Sequence, residues 1–212
     1  GNVFGEDKIT RRALLQLYGK PAFHLELAER MGAINANARI RGEFNDTVAD
    51  ASYFFFRYHG STGFGPGAVR KTNYPVYSMI DVLEGKIGSK ELKDKVLLVG
   101  SMSKNDSADF AFTPYSKRAF MNPKLVVHAN ILDSIIHQNG VLRAPTWMNW
   151  ITTFLVSMFV IWSVFTYTPL YGVFNTITLA LGFLLVGQVL FSIRGLWIRE
   201  AQPLIGIFLA YY

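Results

Sequence analysis

The chain contains no cysteine, which excludes disulfide staples and thiol chemistry. A second absence is local. From Ala144 to Ile193 there is no Asp, Glu, Lys or Arg. Without an ionisable residue in mid-span, an ion or proton path through this stretch has no carrier, which counts against a transporter. Crossing a hydrocarbon core about 30 Å thick takes roughly 20 apolar residues as helix, and the stretch is long enough for two such helices. The expected spans are 147–168 and 172–193, with a turn at Pro169 and Gly172. Trp147, Trp150, Tyr167 and Tyr171 flank the first span, where amphipathic rings prefer the headgroup level. A third apolar run, 203–212, begins after Gln202 and covers about half a bilayer at 1.5 Å per residue. Together with a first residue that is not Met and no visible signal peptide, this leads us to expect a piece of a longer protein, with an anchor ahead of Gly1.

Other signatures are missing as well. His24, His59, His128 and His137 lack metal-ligand spacing. Gly100-Ser-Met-Ser103 lacks the second glycine of a nucleophile elbow. No metal, cofactor or catalytic activity is therefore expected of this segment. The net charge is +6, but bases and acids interleave, as in Glu26, Glu29 and Arg30 or Lys90, Glu91, Lys93, Asp94 and Lys95. That is solvated surface rather than a nucleic-acid footprint.

What is present divides the chain in two. After Ile193 the only charged residues are Arg194, Arg199 and Glu200; the rest of the charge precedes Ala144. The expected domains are a water-soluble one over residues 1–143, of mixed α/β or α+β class, and a helical membrane bundle over 147–212. Residues 10–18 fit either a short helix or an edge strand. Pro21 to Met31 predicts a helix, with Pro21 in its first turn and Gly32 at its end. Residues 32–50 read as a loop with a short strand or hairpin. Ala51 to Tyr58, rich in aromatics, predicts a strand that empties into the glycine-rich Gly60–Gly67. A phosphate-cradling loop would use such glycines but would continue with Lys-Ser or Lys-Thr, which is absent here, so a plain connection is expected. Ser78 to Glu84 predicts a capped helix stopped by Gly85. Lys95 to Gly100 predicts a strand covered on both faces, Val126-Val127 a further strand, and 129–137 a helix closed by Asn139-Gly140. Alternating strands and helices suggest at least partly parallel pairing.

The order of these features resembles the CHASE2 family. The features are the aromatic strand into Tyr58-His-Gly60, the Ser78-Met-Ile-Asp81-Val-Leu-Glu-Gly85 helix, and Asp94-Lys-Val-Leu-Leu-Val-Gly100. They continue with Asp109-Phe-Ala-Phe-Thr113-Pro114 and Val127-His-Ala-Asn130-Ile-Leu-Asp133, followed by apolar spans. The resemblance covers about residues 20–212. It implies an extracytoplasmic sensory module of a bacterial inner-membrane receptor, multi-pass, with residues 1–143 outside and three spans passing a signal to an output domain such as a cyclase or kinase. Two places depart from the family pattern. Arg57-Tyr58-His59-Gly60 stands where Asn-Tyr-Arg-Gly is usual, and Pro123-Lys124-Leu125-Val126 stands where Pro-Gly-Val-Glu is common.

The candidate ligand-binding residues are Arg57, Tyr58, Asp109, Thr113, His128, Asn130 and Asp133. The guanidinium fork of Arg57 suits an anion. Asp109 and Thr113 lie on the loop after the expected Lys95–Gly100 strand, and His128, Asn130 and Asp133 open a helix near a strand end, where α/β sheets gather ligands. Each also has a structural reading: Asn130 and Asp133 brace the helix start, His128 satisfies backbone, Asp109 and Thr113 set a turn, and Arg57 makes a strand-face salt bridge. Expected partners are the lipid bilayer, a small-molecule or protein ligand, and further copies or a larger membrane complex. The alternative function is a non-sensing structural or interaction subunit that docks an envelope complex.

Overall fold

The computed structural model describes residues 2–4, 7–35, 38–60, 74–101, 109–115 and 122–212. They form two compact units, Gly1–Gly140 and Val141–Tyr212. The chain is a mixed α/β protein.

The first unit is built on a sheet ordered β1-β2-β5-β4, with β3 added against β2. The strands are β1 (Asn2–Phe4), β2 (Thr10–Leu17), β3 (Lys20–Pro21), β4 (Glu43–Asp46) and β5 (Ala51–Phe55). Residues 10–18, ambiguous by pattern, supply the central strand: Thr10, Ala13 and Leu15 turn inward, which an edge segment would not need. Every pairing in this sheet is antiparallel; among the described residues of the first unit, the expectation of partly parallel strands is met by one isolated bridge, Ile9 to Phe112. The reason is local. β4 and β5 are joined by a short turn, in which Asp46 Oδ1 accepts from the Val48 and Ala49 N–H groups at 3.0 and 3.3 Å, and a short turn returns the chain antiparallel.

Helix α1 (Phe23–Arg30) begins two residues later than the position of Pro21 suggests, because Pro21 is taken into β3 and Ala22 is the N-cap. Helix α2 (Met79–Leu83) keeps the predicted frame, with Ser78 as N-cap and Gly85 at φ 70° just beyond it. A further short helix, α3, spans Ser89–Leu92.

Two expectations are corrected. Val126-Val127 is not a strand: helix α4 runs from Lys124 to Ile136, so Asn130 and Asp133 sit within the helix rather than at its start. The β-branched residues mislead on propensity, but Val127, Ile131 and Ile135 recur every fourth residue and are fully buried; packing of that stripe outweighs a few tenths of a kcal/mol of intrinsic preference. Among the described residues Lys95–Gly100 carries no strand pairing. Leu97 and Val99 are 54% and 73% exposed, while Val96 packs on the core, so the segment is covered on one side only. The core joins β2, β5, α1 and α4 through Leu15, Leu25, Phe54, Phe56, Ile131 and Ile135. Most of the glycine-rich Gly60–Gly67 and part of the Ser101–Pro114 loop lie outside the described residues.

The second unit holds helix α5 (Thr146–Thr166, 21 residues), helix α6 (Pro169–Arg194, 26 residues) and helix α7 (Ala201–Tyr211, 11 residues). The first two are long and apolar enough to cross a membrane; at 1.5 Å per residue α7 is too short to do so over its observed length. A two-residue parallel ladder joins β6 (Leu142–Arg143) to β7 (Leu196–Trp197), with Leu142 N–H donating to Gly195 O and Ala144 N–H to Trp197 O at 2.8 and 2.9 Å. The entry to α5 and the exit from α6 are thereby held side by side, as in a helical hairpin. Between those helices Asn175 Nδ2 donates to Ser163 Oγ at 3.1 Å, and a Cβ on Gly172 would meet Val164 Cα at 3.8 Å. Gly206 of α7 lies against Thr153 and Ser157 of α5, a small-residue contact of the kind that lets helix backbones approach.

Candidate functional site

Beyond Phe55 the chain leaves the sheet, and α4 laces itself to residues 57–59. Ser134 Oγ accepts from the Arg57 N–H and donates to the Arg57 carbonyl, both at 3.1 Å. Four residues earlier on the same face, Asn130 Oδ1 accepts from the His59 N–H at 2.9 Å and from the Tyr74 hydroxyl at 3.4 Å, while Asn130 Nδ2 donates to Val126 O at 2.8 Å. Asn130 is 2% exposed; its amide does the work of a neighbouring strand for backbone that has left the sheet.

At the outer end of this seam one carboxylate serves two imidazoles. Asp133 Oδ2 lies 2.7 Å from His59 Nε2 and Oδ1 lies 3.0 Å from His137 Nδ1. The two rings address different oxygens, an arrangement that clasps the helix to the chain rather than gathering donors about a metal; no metal-holding group of acids and histidines occurs among the described residues. Burial, with the Asp133 carboxylate adding to it, pushes the Tyr74 hydroxyl well above the ordinary tyrosine range, so it stays a neutral donor.

His128 belongs elsewhere. Its Nδ1 lies 2.8 Å from Nε2 of His24 on α1, and the rings are near-parallel. One nitrogen must donate and the other accept, so the neutral pair shares a single proton between the helices. Burial first, and the His128 ring second, lower the His24 pKa from 6.5 to about 3; burial also lowers that of His128.

Tyr58 and Thr113 flank a third place. The Tyr58 hydroxyl donates to Thr10 O at 2.8 Å, and Thr10 N–H donates to Phe112 O at 2.9 Å. Thr113 is fully buried with its hydroxyl unpaired among the described residues. Burial raises the Tyr58 hydroxyl beyond the ordinary tyrosine range. Asp109 is half-buried beside this segment in sequence and joins none of the three groups by a hydrogen bond or ion pair among the described residues. The structure thus brings Arg57, Asn130 and Asp133 into one seam, gives His128 to a helix–helix contact, and ties Tyr58 to β2.

The first unit also contains a cavity of about 420 Å³, within the ordinary range for small-molecule sites, and none of the seven residues lines it. Leu15, Leu25, Ile40 and Phe44 form its apolar wall. Its polar lining includes Gln16, Arg39 and Glu43. Sequence reading missed these residues because their convergence depends on a β-bulge. Leu14 pairs Tyr53 and Gln16 pairs Ser52, so Leu15 is an extra residue on β2. Successive strand residues normally face opposite sides, yet Leu15 and Gln16 both line the cavity.

Compared with protein-family models, residues 2–168 match the CHASE2 domain. This chain belongs to the CHASE2 family. The match takes in the whole described sheet, α1 to α4, and α5 of the second unit. CHASE2 domains are extracytoplasmic sensory domains, so a sensory role holds for this chain in general terms. Neither the curated proteins nor the solved structures contain a match. The two apolar helices suggest a membrane association: α6 leaves most of its apolar surface uncovered, with only 6% of its most apolar stretch buried, unlike the core helix of a water-soluble domain.

Proposed function

We propose that this chain is the sensory head and first membrane segment of a multi-pass receptor in a bacterial inner membrane. Residues 1–143 face away from the cytoplasm, and a bound small molecule or protein favours one arrangement of the head. The spans carry that bias inward as a differential binding energy. The observation that carries the reading is the reach of the CHASE2 match, which continues from the sheet through the end of α5 and so makes one evolutionary unit of head and first span. The β6–β7 ladder supports a helical hairpin; with the head outside, as for CHASE2 domains, α5 runs inward, the Pro169 turn is cytoplasmic, and 194–202 return to the outer face. A third span starting at 203 would then return the chain to the cytoplasm. The bilayer is the first partner, with further copies or a larger complex beside it. Catalysis, where it follows sensing, is assigned to segments beyond this one. Topology reporters fused after Gly140 and within the Pro169 turn test the layout: opposite sides, with Gly140 outside, are expected, and Gly140 in the cytoplasm would refute it.

A second reading, a docking subunit that senses nothing, draws on Met79, Ile80 and Leu83 of α2 and on Leu97 and Val99, which all present exposed apolar side chains. Single charges introduced at these positions separate the two readings. Loss of a co-purifying complex from a chain that shows no response to any ligand favours docking alone, whereas unchanged assembly leaves the sensory reading as it stands.

A further inference from the structure

The cavity in the first unit holds an unusual pairing of groups. It opens between the bulged end of β2, helix α1, the segment 38–40 and β4. Arg39 and Glu43 both line it, four residues apart, yet they form no ion pair with each other. Arg39 makes no hydrogen bond or ion pair among the described residues. Glu43 spends one oxygen, Oε2, on the Ile40 N–H at 3.3 Å, which holds the turn into β4, and keeps the other free. The Gln16 side chain, beside the bulge, has no hydrogen-bond partner among the described residues either. Arg39 is exposed and Glu43 half-buried at the mouth of the cavity, so two opposite charges stand apart beside the wall of Leu15, Leu25, Ile40 and Phe44, each open to a complementary group on a ligand.

We propose that this cavity binds a small zwitterion with an apolar side chain, the chemistry of a free hydrophobic amino acid or a short hydrophobic peptide. The planar fork of Arg39 takes the carboxylate, the free oxygen of Glu43 takes the ammonium, Gln16 contributes a neutral hydrogen bond, and the apolar wall takes the side chain. This assignment rests on the sensory reading and names its ligand class and site.

The test is calorimetric titration of the full chain in lipid nanodiscs with L-leucine, L-phenylalanine and the dipeptide Leu-Leu. Isovalerate, lacking the ammonium, and isopentylamine, lacking the carboxylate, are the controls. We expect a zwitterion to bind about tenfold or more tighter than either control, the factor expected from one charge-assisted hydrogen bond. Stronger binding of leucine than of Leu-Leu identifies the free amino acid, and the reverse order identifies the peptide; both support the site. Arg39→Ala should weaken leucine binding about tenfold, with Arg39→Lys in between. Glu43→Gln, which keeps an acceptor for the Ile40 N–H, should erase the preference for leucine over isovalerate. Equal binding of leucine and isovalerate by the unaltered chain, or no heat from any zwitterion at millimolar concentration, overturns the proposal without any variant. A different ligand that still signals normally in Arg39→Ala overturns the cavity assignment while leaving the sensory role intact.

Discussion

Phe54 of β5 is completely buried, whereas Phe165 near the end of α5 is 87% exposed. The same side chain meets opposite surroundings in the two units, and the contrast runs through both. In the first unit the apolar residues close on one another across β2, β5, α1 and α4. In the second, helix α6 buries only Gly172 and Gly187, and its large side chains point outward. Close contacts there are made by small and polar residues, Ser163 with Asn175 and Gly206 with Thr153 and Ser157. In water such a surface would be unfavourable by about 25 cal/mol for each Å² exposed; in lipid it costs nothing, and helix association falls to small-residue packing.

Truncation sharpens this comparison most. Phe54→Ala should destabilise the first unit by roughly 3–5 kcal/mol, whereas Phe165→Ala in lipid should change stability by less than about 1 kcal/mol; chemical denaturation in nanodiscs reads both. Charge should reverse the sensitivity. Leu181, exposed in mid-α6, replaced by Arg should cost about 3 kcal/mol of insertion, seen as loss of carbonate-resistant membrane association, while an exposed position of the head such as Val48 should accept Arg within about 0.5 kcal/mol.

Acid should act on the head through the His24–His128 contact. A histidine whose folded pKa lies below its unfolded value contributes stability that is complete above the unfolded value and is lost as pH falls towards the folded one. For His24 that window runs from 6.5 down to about 3, and the loss across it is on the order of a few kcal/mol. His24→Leu should flatten the pH dependence of the head's denaturation midpoint in this range; an unchanged slope would remove the shared-proton account.

Glycines compare the units on a smaller scale. A Cβ on Gly140 would run into the Arg41 carbonyl, which is backbone, whereas one on Gly187 would meet the Glu200 side chain. Gly140→Ala should cost roughly 1–3 kcal/mol. Gly187→Ala should cost less and be relieved by Glu200→Ala, because a flexible side chain can move aside. A small loss is expected of Tyr58→Phe, which removes the hydroxyl bond to Thr10 O for about 1 kcal/mol.

Legibility follows the range of the forces involved. The helix at Ser78–Gly85 was readable because its stop at a left-handed glycine is decided within a turn, although Ser78 makes no side-chain cap hydrogen bond. The lack of pairing for Lys95–Gly100 among the described residues was not, because a strand needs a neighbour from elsewhere in the chain. Of the candidate residues, Asn130 and Asp133 could be found from spacing near a helix; His137, four residues on at the end of the same helix, is a local partner, but the His59 backbone and ring lie on another element. His128 carried no sign of His24, which is 104 positions away in sequence.

By itself the sequence determined the membrane-seeking character of residues 144–193 and the division of the chain, because transfer from water to lipid depends on composition and length alone. Only the tertiary structure decided which polar residues meet. The bulge at Leu15 and the four-residue stripe of α4 set which faces converge, and so place Arg39 and Glu43 on one cavity and His24 against His128.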